Sequence, residues 1–279
     1  MPRRLNLGGS LIAPRSALYI NWGHKATKEL QHLFVCAGAG MRDVVTGKFY
    51  PATGGSQGVG TLGVGWQSGG TGTRINGPSG AAVSRTGNYA ITPVTSLVAG
   101  KFTTTNIVAI GIANTYAVAS GGWVLAGEVY NNTNQVGFVS LGVGLDYSSG
   151  IATPARDGSV LSLVMVPGTT TYRVNESYGS SANVTPLNTG DTITVGAGFR
   201  NGAPIGPLPS GDIVYWAAIF SRALPLADLA LWHTGPFGVL VTPLRLRTRY
   251  MAAAAATGII YTRLERGIRG MNRGIYSGS

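Results

Sequence analysis

One cysteine, Cys36, stands in 279 residues. An intramolecular disulfide is therefore excluded, and with it the small stapled scaffolds of secreted domains. Charge is scarce as well: charged residues make up 11% of the chain, and Asp and Glu together number 10. These are Glu29, Asp43, Glu128, Asp146, Asp157, Glu176, Asp191, Asp212, Asp228 and Glu265, and no two lie within ten positions of each other. A strand carrying paired carboxylates as acid and nucleophile is therefore missing. No G-x-S-x-G stands beside a strand-to-helix turn, so nothing marks a nucleophile elbow. His24 and His32 lie eight residues apart with no cysteine or carboxylate pair at ligand spacing, which argues against zinc. Catalytic residues, metal ligands and cofactors are all expected to be none. Long apolar runs are missing too: 252–260 is far shorter than the roughly 20 residues that cross a bilayer. The basic N-terminus is not followed by an apolar run and cleavage site, so synthesis and folding in a cytosol are expected, and the sequons at Asn131, Asn175 and Asn183 carry little meaning.

What the chain has in quantity is glycine, 43 residues, within a composition that is 44% hydrophobic. Glycine is costly in helix interiors, and this hydrophobic fraction is enough to fold. Many short strands joined by glycine turns fit best. Strands are expected at 33–36, 94–102, 106–113, 122–129, 135–145, 160–166, 170–175 and 192–199, separated by turn clusters such as Asn131-Asn132, Asp157-Gly158 and Pro167-Gly168. Between Thr171 and Asn175, Tyr172 and Val174 point to one face and the polar residues to the other, as in a half-buried antiparallel strand. Residues 54–80 hold eleven glycines, and Gly58-Val59-Gly60-Thr61-Leu62-Gly63 matches a dinucleotide pattern by chance, since neither strand nor helix flanks it. Short strands and turns are expected there instead. Near the end, Asp212 to Phe220 reads as a buried strand. Ser221-Arg222 turns the chain, and Leu226, Leu229, Ala230 and Trp232 fall at helical spacing before Gly235-Pro236 stops it.

The net charge of +11 is unevenly placed. Residues 1–28 carry Arg3, Arg4, Arg15, Lys25 and Lys28 and no acid, giving +5. Residues 245–279 carry Arg245, Arg247, Arg249, Arg263, Arg266, Arg269 and Arg273 against Glu265, giving +6. The body between them sums to zero, so it offers no electrostatic reason to bind nucleic acid. The basic segments read as arms that order on a partner. Leu244 to Arg249 alternates apolar and basic residues, and three glycines interrupt the later arginine series.

Four stretches carry a family resemblance. Asn21-Trp22-Gly23-His24-Lys25-Ala26 through Glu29-Leu30 resembles a "W-x-H-P-L-A-x-G-L" opening, with Lys25 where Pro is usual and Glu29 where Gly is usual. Arg42-Asp43-Val44-Val45-Thr46-Gly47 resembles a "D-L-x-G" segment, and Thr194 to Gly198 resembles the strand before the closing element. Asp212 to Phe237 resembles the strand–turn–helix closure "I-x-x-R-A-L…P-F", with Pro225 in place of a Ser/Thr cap and Asp228 in place of Glu. Together, over roughly 21–243, they resemble the laminin-G/concanavalin-like jelly rolls of tailed bacteriophages and prophages.

The resemblance and the pattern together lead to an all-β, antiparallel two-sheet jelly-roll sandwich with one short C-terminal helix. Its expected layout is an extended arm at 1–20, the jelly roll at 21–243 and a basic C-terminal arm at 244–279. The resemblance implies a non-enzymatic virion structural protein, as head decoration, neck or tail-fibre base, attached to neighbouring virion subunits through Arg3, Arg4, Arg245, Arg247, Arg249, Arg263, Arg266, Arg269 and Arg273 and repeated as a homo-oligomer. Nucleic acid and membrane are not expected partners. The alternative is a carbohydrate-binding phage adhesin, with Trp66 or Trp123 stacking on a surface glycan; a glycan hydrolase is disfavoured by the missing carboxylate pair.

Overall fold

The computed structural model describes residues 11–13, 18–70, 73–79, 94–103, 108–113, 123–126, 135–140, 145–152, 157–166, 169–182, 192–200, 203–205 and 208–243; between 108 and 152 it describes backbone only. The strands, in chain order, begin with β1 (Leu18–Ile20), β2 (Leu30–Cys36), β3 (Gly40–Asp43), β4 (Phe49–Thr53), β5 (Ser56–Gly60), β6 (Gly63–Gln67) and β7 (Arg74–Ser79). There follow β8 (Val94–Lys101), β9 (Val108–Ala113), β10 (Trp123–Ala126), β11 (Gln135–Ser140), β12 (Leu145–Ala152), β13 (Ser159–Val166), β14 (Thr169–Val174) and β15 (Ser177–Ala182). The last are β16 (Thr192–Val195), β17 (Gly198–Arg200), β18 (Ala203–Ile205), β19 (Ile213–Phe220) and β20 (Val241–Pro243), with one helix, α1 (Leu226–Thr234), after β19.

These strands form an antiparallel two-sheet sandwich. One sheet runs β3-β2-β19-β8-β13-β14-β15 and the other β7-β16-β9-β10-β11-β12; β4 pairs with β3 on one side and with β7 on the other, so it joins the two. Phe34, Val98, Leu161, Leu163, Tyr172 and Ile219 of the first sheet meet Ile75, Ile193 and Val195 of the second in one buried cluster. The organising strand is β19, buried along its whole length. It pairs with β2, β8 and β6, so it must be apolar on both faces, and IVYWAAIF is.

The opposite face of β19 carries a second cluster. Trp216, Ala218 and Phe220 pack there under Leu229 and Trp232 of α1, Phe237 and the β1–β20 ribbon. Phe220 and Trp232 meet edge to face with centroids 5.2 Å apart. The opening and closing stretches that carried the family resemblance converge on this lid, whereas Thr194–Gly198 lies in the inter-sheet core. Arg222 donates to the carbonyls of Lys25 at 2.6 Å and Lys28 at 3.0 Å, pinning the 3-10 turn Lys25–Thr27. Asp228 accepts Arg222 at 3.4 Å and forms an ion pair with Lys25 at 3.4 Å, and Trp232 Nε1 donates to the Ala26 carbonyl. Pro225 at the helix N-cap makes no side-chain hydrogen bond, and Asp228 supplies negative charge in the first turn instead. Helical spacing placed Leu226 on the inner face, yet it is exposed, and Asp228 and His233 are buried with Leu229 and Trp232. The ion pairs of Asp228 explain the inversion.

Several boundaries differ from the sequence reading. The stretch 135–145 divides into β11 and the start of β12, and 192–199 bends at Gly196 into β16 and β17. The arm expected to end at residue 20 joins the sandwich earlier. Leu11 and Ala13 pack against the lid cluster, the Leu11 carbonyl accepts Trp216 Nε1 at 3.1 Å, and Leu18–Ile20 pairs with β20.

Candidate functional site

Polar residues buried in the sandwich divide into structural joints and one surface corner. Asp43 is a joint. It accepts His32 Nδ1 at 2.9 Å, the N–H groups of Leu33 and Val45, and Thr46 Oγ1 at 2.7 Å, which closes the β3–β4 turn and explains the Asp-x-x-Thr-Gly spacing. His24 Nδ1 accepts the Ala26 N–H, so both histidines of the N-terminal region are structural, and among the described residues no three His, Cys, Asp or Glu side chains converge as metal ligands. Asp157 accepts the Tyr215 hydroxyl and the Thr61 N–H, tying the β5–β6 turn to β19. Burial favours the protonated form of Asp157, but these hydrogen bonds outweigh it and hold the carboxyl below the usual range. Asp212 is fully buried and accepts the Thr103 N–H and hydroxyl; burial dominates there and pushes its pKa up.

The surface corner lies where β13, β14 and β15 end beneath the C-terminus of α1. Register places Ser162 opposite Arg173 and Arg173 opposite Tyr178, so the three share one face. The hairpin turn between β14 and β15 is fixed by Asn175, which adopts φ 50 and exchanges hydrogen bonds with Val160: its N–H donates to the Val160 carbonyl at 2.9 Å and its Oδ1 accepts the Val160 N–H at 3.0 Å. Arg173 is only 4% exposed although it falls on the polar side of the alternation, so the strand expected to be half buried is buried on both faces there. Arg173 Nε donates to the Asn175 carbonyl at 2.7 Å, and Nη2 lies 3.7 Å from Glu176, which is almost fully exposed. Its guanidinium carbon sits 4.8 Å from the centroid of the Tyr178 ring, and Tyr178 is 49% exposed. The result is an aromatic ring presented to solvent, held from behind by a cation and flanked by the Glu176 carboxylate and by the exposed Ser180, two positions on along the same face.

Under the corner, Ser162 Oγ and His233 Nε2 are 2.8 Å apart. Burial first, and the Arg173 charge second, push the His233 pKa down to about 3. A serine–histidine pair used for nucleophilic attack needs a histidine that can become cationic, normally with a carboxylate behind it. Here a guanidinium takes that place and Ser162 is fully buried, so the pair is a joint between α1 and β13.

Of the aromatic residues named for sugar stacking, Trp66 is corrected: it is 0% exposed, beneath Gly55 and Gly196 in the inter-sheet core. The Trp123 side chain lies outside the described residues, as do Arg3, Arg4, Arg245, Arg247, Arg249, Arg263, Arg266, Arg269 and Arg273. The corner at Arg173 and Tyr178 was missed. Its signal is the run Thr171-Tyr172-Arg173-Val174-Asn175-Glu176-Ser177-Tyr178, a hairpin in which one aromatic residue falls on the outer face.

No protein-family model matches the chain, and no curated protein matches it. Among solved structures, it is similar to domain 4 of AbnA, a GH43 extracellular arabinanase from Geobacillus stearothermophilus in complex with arabinotriose. That likeness has TM-score 0.51 and 13% identity over 74% of this chain and 98% of that one. A mutant of Trypanosoma rangeli sialidase displaying trans-sialidase activity matches with TM-score 0.52 and 13% identity, over 75% of this chain but only 33% of the sialidase. At this identity the likeness shows the fold, and it agrees with the two-sheet sandwich built above from register and burial.

Proposed function

We propose that the chain is a non-catalytic glycan-binding sandwich, an adhesin-type component carried on a tailed-phage particle through its basic terminal segments. The observation that carries the glycan half is the Tyr178 ring, exposed yet held in place by the buried Arg173. A sugar stacks its C–H face on such a ring, and Glu176 and Ser180 are within the same hairpin to accept and donate hydrogen bonds to hydroxyls. Ring immobilisation before binding reduces the entropy lost on binding. The AbnA domain of the same fold was solved with arabinotriose, which makes neutral oligosaccharides the first ligands to test. The non-catalytic reading is supported by Asp43, Asp157, Asp212 and Asp228, each committed to internal hydrogen bonds or ion pairs. Glycan-array binding by the full chain, compared with Tyr178→Ala, tests the proposal: retained binding in the variant overturns the site.

The second reading is a virion structural protein that binds no glycan. The partition of charge favours it, with the whole +11 lying in the terminal stretches around a neutral body. The resemblance of the opening, turn and closure motifs to phage jelly rolls supports the particle context of both readings. Copy number in gradient-purified particles, measured against the major capsid protein, tests that context, and absence from particles removes it.

A further inference from the structure

The hairpin of β5 and β6 presents a strand edge to solvent. Its register sets Ser56 opposite Gln67, Gly58 opposite Gly65 and Gly60 opposite Gly63, across the turn Thr61-Leu62. Just after β6, the Ser68 N–H donates to the Asp212 carbonyl and the Ser68 carbonyl accepts the Gly211 N–H. Backbone groups alternate sides along a strand, so Trp66 and Val64 also bond toward β19, while Gln67, Gly65 and Gly63 bond toward β5. Ser56, Gly58 and Gly60 answer them. The N–H and C=O groups of Gln57 and Val59 therefore point outward, and among the described strands β5 pairs with β6 alone.

This edge is open to pairing. Ser56-Gln57-Gly58-Val59-Gly60 holds no charged residue and no proline, and its pairing with β6 runs without a bulge. Those are the devices that keep edge strands from pairing with other chains. Gln57 is exposed, and Val59, at 74%, is the most exposed of the large apolar side chains described.

We infer that β5 is a self-pairing edge through which two copies of this chain join their sheets about a two-fold axis at Gly58. Antiparallel pairing there sets Gln57 opposite Val59 of the second copy, and Val59 opposite its Gln57. Each of these two pairs exchanges two backbone hydrogen bonds, four in all. Gly58 meets Gly58 of the second copy in the close position between them, where neither brings a side chain. Its own sheet demands glycine there too, since a Cβ would lie 2.8 Å from Gln67 Cβ and 3.1 Å from Ile213 Cδ1. Val59 gains a cross-strand neighbour in Gln57 of the second copy. The five residues of the edge are uncharged, so the net charge of +11 on each copy puts no like charges on the paired strands. A second copy is favoured over an unrelated peptide because it brings an identical unpaired edge, and one contact satisfies both. The path from β5 through β6, β19, β8, β13 and β14 ends at β15, so pairing puts a Tyr178 hairpin at each far end of the joined sheet. A bivalent glycan-binding unit follows; that consequence rests on the proposed function, and the pairing does not.

Sedimentation equilibrium of the full chain between about 1 and 100 µM tests the pairing, and a monomer–dimer equilibrium is expected. Gln57→Pro removes an outward N–H and leaves the bonds to β6 in place, and Val59→Lys puts a cation on the pairing edge of both copies. Each is expected to weaken the dimer at least fivefold. Val59 is exposed enough for lysine to leave the fold intact, and Leu226→Lys, exposed on α1, controls for the added charge and is expected to change nothing. Tyr178→Ala is expected to leave the dimer unchanged, so loss of the glycan site and loss of pairing are told apart. A chain that stays monomeric across this range would overturn the proposal, as would a dimer that either edge variant weakens less than fivefold.

Discussion

Trp232 donates its indole N–H to the carbonyl of Ala26 at 2.9 Å, across 206 positions of sequence. This bond, with the Arg222 contacts to Lys25 and Lys28, locks the 3-10 turn onto the closing helix. Both ends of the bond are buried, so removing the donor leaves a carbonyl unpaired. Trp232→Phe is expected to lower the unfolding free energy by about 2–4 kcal/mol, from the orphaned carbonyl and the smaller ring. Denaturant melts measure this directly.

His233 gives the fold a dependence on mild acid. Burial and the nearby Arg173 hold its folded-state pKa at about 3, well below its ordinary value. The groups facing it are Ser162, Arg173 and the Asn175 backbone, none of them anionic. The unfolded chain therefore binds a proton that the folded one refuses, and the stability present above the ordinary histidine pKa is lost as pH falls from about 6.5 toward 3. His233→Gln is expected to remove up to about 1.4 kcal/mol per pH unit of slope in that window, as read from melts at stepped pH.

Tyr215 and Asp157 act at the two ends of the pH scale. The Asp157 carboxyl is held low, so its contribution is present above the ordinary carboxylate pKa and is lost as pH falls through the lowered value. The Tyr215 hydroxyl is pushed up, by burial first and then by Asp157, so stability falls as pH rises through the ordinary tyrosine range near about 10. Tyr215→Phe is expected to bring acid unfolding to higher pH and to flatten the alkaline limb. An unchanged acid midpoint would contradict the coupling.

Gly196 marks the bend between β16 and β17. Its φ is 86, and a Cβ there would lie 2.3 Å from the Trp66 ring. Both the backbone and the buried indole resist a side chain. Gly196→Ala is expected to cost about 2–4 kcal/mol in thermal or chemical melts, more than an ordinary surface Gly→Ala change.

The central strand and its closure were legible because their signal is local. Asp212 to Phe220 is apolar throughout, and a strand buried on both faces needs nothing else to be read. The alternation of Tyr172 and Val174 likewise gave their shared face, and both lie in the inter-sheet core. The turn at Asp43, given in sequence only as a resemblance, is likewise local, since the Asp43 carboxylate accepts the Val45 N–H and the Thr46 hydroxyl. What sequence could not give is context from distant strands. Trp66 stays a sugar-stacking candidate in sequence until Gly55 and Gly196 are seen to admit its ring to the core. Leu226 reads as core until Lys25 and Arg222 draw Asp228 inward. Arg173 reads as a solvated charge until Tyr178 and Asn175 close over it. In each case the deciding neighbour is set by strand pairing or by a turn, which residue pattern alone does not specify.

The most direct test of the glycan-binding account is the affinity of the full chain for the best ligand on a neutral-oligosaccharide array, measured by titration calorimetry alongside Tyr178→Ala and Arg173→Gln. Loss of the stacking ring is expected to weaken binding about tenfold, on the order of 1.4 kcal/mol. Arg173→Gln is expected to weaken it by less, because the ring remains but is no longer held. Binding by the wild type that neither substitution alters, or no binding by the wild type to any glycan, would contradict the account.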